Sequence, residues 1–387
     1  MVGKTISHYK VLEKIGQGRV EAPGADELRC LDNIFKGGNT TMNFLRRVIV
    51  KHFGVNLAAL AFLLSTVSYG APMGKVKFVD VDGVRTSYFE GGSGEAMVLV
   101  HGGSFGSTSS SNAWRPIFDH LAEHFHVYVI DKLGQGYTDN PLDDADYTMD
   151  AVTRHIHRFM ETLGIKKVHL VGHSRGALPA ARIATDHPEM IENLILFNSG
   201  TLARDASTPR SPNPAGATQA AAAEPPPPTK ESIRQSLLSN PNSYHKDYVT
   251  DHYVEAELRL ALLPKLKEAQ QRMTWVSSQW VKQNPEKMKE NPRLRNGWWY
   301  DQLKRETFER IQAGRLKSPT LIIWGFNDSS APAILGINLY NKIASVLARA
   351  ELHFFNQSGH YVFQEYPRET ADLIVSFIKN AKDASSR

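Results

Sequence analysis

Ser174 lies in Gly172-His173-Ser174-Arg175-Gly176, between the apolar run Val168–Val171 and a stretch of helical spacing that starts near Ala177. A tight strand-to-helix turn pushes such a hydroxyl out of the end of a sheet. The glycines remove Cβ atoms where the two elements must approach closely. A serine hydroxyl is a poor nucleophile at neutral pH, so it needs a base, and the base needs an acid to orient it. His360 in Gln357-Ser358-Gly359-His360 and Asp328 in Gly325-Phe326-Asn327-Asp328 offer both, each just past an apolar run. Two N–H donors must meet the developing oxyanion. Arg175, at the start of a helix, and Gly103 of His101-Gly102-Gly103-Ser104 are the candidates, with Gly102 the fallback. A G-x-S-x-G match alone arises by chance in about one chain in ten of this length. Four pieces in the order Ser…Asp…His, each past a strand, are far more specific. The chemistry expected is attack on an ester carbonyl or a vinylogous ketone, then release of the acyl-enzyme by water, with no cofactor and no metal.

These side chains need a sheet whose strand ends converge. Val76–Asp82 and Val84–Phe89 read as an antiparallel edge hairpin turning at Asp82-Gly83. Met97–Val100, His126–Ile130, Val168–Val171, Leu194–Phe197, Leu321–Trp324 and Leu352–Phe355 are compact β-rich runs. Met149–Leu163, Ala177–Asp186 and Glu369–Lys379 carry apolar residues at helical spacing. The alternation predicts an α/β fold, a mostly parallel eight-stranded sheet flanked by helices. Catalytic groups then gather at the strands' C-terminal ends. The pattern breaks near residue 201. Thr208–Thr229 is rich in Pro, Ala and Ser and reads as a linker. Glu231–Arg315 is helical and holds four of the six tryptophans, the composition of a cap over an apolar site. The same aromatics could instead pack a small core of the cap itself. The expected division is a first core segment at 72–200, linker and cap at 201–314, and a second core segment at 315–387.

Of 387 residues, 41% are hydrophobic and 22% charged, which excludes a disordered or fibrous chain. The formal charge of +5 and a pI near 9.0 invite a nucleic-acid or anionic-membrane partner. Its distribution argues otherwise: residues 1–71 hold nine Lys/Arg and five Asp/Glu, leaving 36 against 35 in the rest. No nucleic-acid motif appears, and the expected partner is a small-molecule substrate. Oligomeric state has no signature here. A lone cysteine, Cys30, permits no internal disulfide.

From Met42, Arg46, Arg47 and Lys51 precede the 13-residue apolar run Val55–Val67, followed by small Ser68, Gly70 and Ala71. That layout at 42–71 reads as a secretory signal peptide and predicts a secreted or periplasmic protein. Retained, residues 55–67 would be an anchor; a buried N-terminal helix in a cytoplasmic protein is the plainer alternative. Upstream, Ile6-Ser7-His8-Tyr9-Lys10-Val11-Leu12-Glu13-Lys14-Ile15-Gly16-Gln17-Gly18 is similar to the first strand and glycine turn of a protein kinase. No V-A-I-K lysine, H-R-D or D-F-G follows, so residues 1–41 are read as a fragment without kinase activity.

From about residue 75 to 380 the sequence resembles an α/β-hydrolase with the insertion as its cap. Ser at 174, where dehalogenases and epoxide hydrolases of that fold have Asp, disfavours both of those reactions. The finer resemblance is to the meta-cleavage-product hydrolases, which cut carbon–carbon bonds in aromatic ring-fission products. His101-Gly102-Gly103 followed by Ser111-Asn112, the turn Asp131-Lys132-Leu133-Gly134-Gln135-Gly136-Tyr137-Thr138-Asp139, and Arg315–Thr320 before Trp324-Gly325 carry it. It implies that Asn112 holds substrate beside Ser174, with Ser104, His173, Arg259 and Tyr361 as further substrate contacts. His173 stands where that family often has Asn, Tyr361 where it usually has Trp, and Arg259 near its cap arginine. A carboxylesterase could carry the same residues, as could a non-catalytic receptor for a small ligand.

Overall fold

Strands buried on both faces need apolar side chains at consecutive positions, and the central runs of this chain supply them. The computed structural model describes residues 73–204, 226–286 and 301–385. The kinase-like stretch, the signal-like stretch and most of the Pro-rich linker lie outside the described residues. Eight strands form one sheet: β1 (Lys77–Val81), β2 (Val84–Gly91), β3 (Ala96–Val100), β4 (His126–Ile130), β5 (Val168–His173), β6 (Ile191–Phe197), β7 (Thr320–Gly325) and β8 (Ala350–Phe355). Their order is β1-β2-β4-β3-β5-β6-β7-β8. β2 pairs antiparallel with β1 and β4, and every other pairing is parallel. Asp82 and Gly83, both at positive φ, make the tight turn of the edge hairpin.

Alternate side chains of each strand feed two cores. Met97, Leu99, Val171, Ile195, Phe197 and Ile323 face α1 (Arg115–Ala122) and the last long helix. Val98, Val100, Leu170, Leu196 and Ile322 face α2 (Met149–Thr162) and α3 (Ala177–Asp186). The insertion between β6 and β7 holds α4 (Lys230–Leu238), α5 (Asp251–Ala261), α6 (Pro264–Trp275) and α7 (Asp301–Gln312). α8 (Ala333–Ala344) and α9 (Pro367–Ser385) close the core. The insertion's aromatics divide between two uses. Tyr248 and Tyr253 pack with Val249 and Val254 in a separate small cluster on α4 and α5. Trp280 is buried against the main core, and Trp275 packs against it too. Trp298, Trp299 and Tyr300 lie outside the described residues.

Candidate active site

β5 ends at His173, and Ser174 sits at φ +52° before the chain enters α3. A non-glycine residue there costs about 1–3 kcal/mol, so its surroundings must enforce it. They do so by close approach. A Cβ on Gly172 would lie 2.7 Å from Ala177 Cα, and one on Gly176 would lie 2.5 and 2.6 Å from the carbonyl oxygens of His101 and Val100. Ser199 Oγ donates to the Ser174 carbonyl at 2.6 Å and holds the turn from the β6 side. Because two backbone oxygens cannot move aside cheaply, Gly176→Ala is expected to cost about 3 kcal/mol or more. A drop in the urea midpoint would measure it.

The loop after β7 carries Asp328, the candidate acid. Gly325 passes so near the β8 loop that a Cβ would meet the Gly359 carbonyl at 1.9 Å, and this approach joins Asp328 to His360. Asp328 Oδ2 accepts from His360 Nδ1 at 2.6 Å and from Asn198 Nδ2 at 2.9 Å. Its Oδ1 accepts from Ser330 N, Ser330 Oγ and Ala331 N at 2.8, 2.7 and 3.0 Å. Burial alone would raise this carboxyl, but the His360 charge and the bonds from His360, Ser330 and Asn198 outweigh it and hold Asp328 at about 2. Asp328 is therefore ionised at neutral pH, and His360 carries its proton on Nδ1. That leaves Nε2 as the basic nitrogen. Ser174 Oγ makes no hydrogen bond with His360 among the described residues, a common condition in unliganded sites, where such bonds tighten with substrate.

His173 is buried, with its ring 4.7 Å from that of His360 and 4.9 Å from that of Tyr361. Its Nε2 donates to the His360 carbonyl at 2.9 Å, so it supports the histidine loop from below. Burial, then the His360 charge, pushes its pKa well down and keeps the ring neutral. From the insertion, the Asn242 carbonyl accepts the His360 N–H at 2.8 Å. Glu365 receives Gly359 N at 2.8 Å and Ser358 Oγ at 3.2 Å.

The Gly102–Gly103 loop runs directly over Ser174: a Cβ on Gly102 would lie 2.9 Å from Ser174 Cβ. His101 accepts the Lys132 N–H at Nε2 (3.1 Å), so its Nδ1 is the donor to the Gly102 carbonyl at 2.8 Å. Gly103 adopts φ +73°, and its carbonyl accepts from Lys132 Nζ at 3.0 Å. Ser104 N donates to Ser107 Oγ at 3.1 Å. Arg175 is the middle residue of the short turn Ser174–Gly176 that leads into α3.

Asn112 is buried in the turn before α1, and its Nδ2 donates to Glu257 Oε1 at 2.6 Å. Its Oδ1 accepts from Arg115 Nε at 2.9 Å, and Arg115 Nη1 reaches His252 Nε2 at 3.0 Å. Asn112 and Arg115 on the core thus meet His252 and Glu257 on α5. Burial raises Glu257 to about 7, against the lowering effect of Asn112 and Arg115. Arg259, two residues further along α5, is exposed. Asn198, Ser199, Ser330 and Glu257 border these groups and were not marked by the motifs, and Lys132 was quoted only as part of a turn; a polar residue directly after the apolar run of β6 was the available signal for the first two.

One cluster with metal-ligand character occurs among the described residues, Glu95, His169 and Glu192, and Glu95 there is already paired with Lys382.

The fold and this arrangement define a hydrolase, and the family model for the alpha/beta hydrolase fold matches residues 95–367. The chain belongs to that family. It is similar to the 2-hydroxy-6-oxo-6-(2'-aminophenyl)hexa-2,4-dienoic acid hydrolase of Metapseudomonas resinovorans, at 25% identity over 79% of this chain and 92% of that protein. A 2-hydroxymuconate semialdehyde hydrolase of Pseudomonas sp. (strain CF600) is 27% identical over 78% and 93%. Among solved structures, a meta-cleavage product hydrolase from Pseudomonas fluorescens IP01, a mutant complexed with acetates, superposes with a TM-score of 0.55 at 26% identity. It covers 79% of this chain and 98% of its own.

Proposed function

We propose that this enzyme is a serine hydrolase that cleaves the carbon–carbon bond of a 2-hydroxy-6-oxo-dienoate, the kind of ring-fission product for which its relatives are named. The observation that carries the mechanism is the buried Asp328–His360 pair at the sheet end that also holds Ser174 in its strained turn. His360 Nε2 takes the proton of Ser174 Oγ as the oxygen attacks the carbonyl carbon. The N–H groups of Gly103 and Arg175 bind the oxyanion. In the carbon–carbon reaction the substrate first ketonises, so that the departing carbon leaves as a stabilised carbanion and takes the proton from His360 Nε2, which restores the neutral base. Water, deprotonated by the same His360, then attacks the acyl-enzyme and frees Ser174.

Glu257 favours a second reading. Its carboxyl group sits on Asn112, the residue proposed to hold substrate, and when ionised it would repel a dienoate carboxylate. That environment suits a neutral carboxylic ester. A panel of short-chain p-nitrophenyl esters against yellow dienoate ring-fission products separates the two. The primary reading expects kcat/KM at least about tenfold higher on a dienoate; esters hydrolysed with no dienoate turnover would replace it with the carboxylesterase.

A further inference from the structure

A cavity of about 220 Å³ lies beside the Gly102–Gly103 loop, lined by Gly103, Phe105, Lys132, Tyr147, Met149 and Met273. Its walls are largely apolar; the Phe105 and Tyr147 rings are 5.1 Å apart. Gln135, Thr274 and Ser277 add polar groups, and Lys132, only 1% exposed, is the one charged side chain of the lining. Its Nζ donates to the Gly103 carbonyl at 3.0 Å, and an ammonium has two further donors. No carboxylate lies within ion-pair distance of it among the described residues. Burial, and then the Arg175 cation, pushes its pKa well down. A carboxylate beside Nζ would favour the protonated amine and supply its missing counter-charge, so anion and proton are taken up together.

We propose that this cavity binds an organic carboxylate, with Lys132 as its counter-charge and Phe105, Tyr147, Met149 and Met273 around a compact apolar body. The volume is below the roughly 300–1,000 Å³ of sites for drug-sized ligands, so the acid is small. It is either the carboxylate end of a substrate or a free acid. Gly103 is a wall of the cavity and also the proposed oxyanion donor, so the substrate arm rests on the function proposed above; the binding itself does not.

The test uses the full chain with Ser174→Ala, which separates binding from turnover, titrated calorimetrically with benzoate and with the neutral benzamide. Benzoate is expected to bind at least about tenfold tighter, the scale of one charge-assisted hydrogen bond. Adding Lys132→Met should erase that preference. Met273→Trp, which keeps the lysine and fills the cavity, should weaken benzoate and guards against a lysine variant that fails to fold. Equal binding of benzoate and benzamide, or a preference that survives both changes, overturns the proposal. In the enzyme with Ser174 intact, benzoate competing only with esters whose acyl chain ends in a carboxylate assigns the cavity to substrate. Benzoate acting equally on all esters assigns it to a free acid. If Ser174→Ala still hydrolyses esters, the catalytic reading fails while the binding result stands.

Discussion

Replacing Ser174 by alanine is expected to lower turnover by about 10⁴-fold or more, with substrate binding largely retained. The reason is chemical rather than steric. Alanine fits the turn at φ +52° no worse than serine does, and Gly172, Gly176 and the Ser199 bond to its carbonyl still define the backbone. The lost atom is the one that must form the acyl bond. Orientation of substrate under the Gly103 and Arg175 N–H groups would remain and would leave a residual rate above that in water. Steady-state kinetics on whichever panel substrate is turned over, with thermal unfolding as a control for folding, measures this. A variant that is folded and retains more than a few per cent of activity places the nucleophile elsewhere.

Asp328→Asn is expected to cost about 10⁴-fold in kcat through a tautomer. All five hydrogen bonds to the Asp328 carboxylate arrive from donors: Oδ1 takes three, and Oδ2 takes His360 and Asn198. An asparagine has one acceptor oxygen. If that oxygen faces Ser330 and Ala331, its NH₂ points at His360 Nδ1, which must then become the acceptor. The imidazole proton moves to Nε2, and no lone pair remains to receive the proton of Ser174 Oγ. Because side-chain volume is nearly unchanged, the fold should persist while the rate collapses, and substrate KM should change far less than kcat. A kcat within tenfold of the parent would show that Asp328 is not orienting the base.

Much of this was legible in the sequence because parallel strands buried on both faces leave contiguous apolar runs. Met97–Val100 and Leu321–Trp324 could be read as strands for that reason, and the sites past their ends followed from topology. α1 and α8 were not marked. α1 starts at Arg115-Pro116 and mixes charged residues with its buried Ile117, Phe118 and Leu121, so its periodicity is short and interrupted. The supporting polar network was invisible for a different reason. Asn198 meets Asp328 across 130 residues of sequence, and Asn112 meets Glu257 across 145. A buried polar side chain has no periodicity of its own, and only the assembled sheet shows which acceptor it faces. Arg259 illustrates the limit: a position on a helix could be read, but not which of its neighbours would meet Asn112.

On the mechanism proposed above, Ser174 forms the covalent intermediate with His360 as its base. The most direct measurement is to treat the enzyme with a fluorophosphonate, digest it, and locate the adduct by mass spectrometry. One adduct is expected, on the peptide containing Gly172-His173-Ser174-Arg175-Gly176, forming in step with loss of activity and absent from Ser174→Ala. Complete inactivation with the label on another residue, or full hydrolysis by enzyme labelled at Ser174, would contradict it.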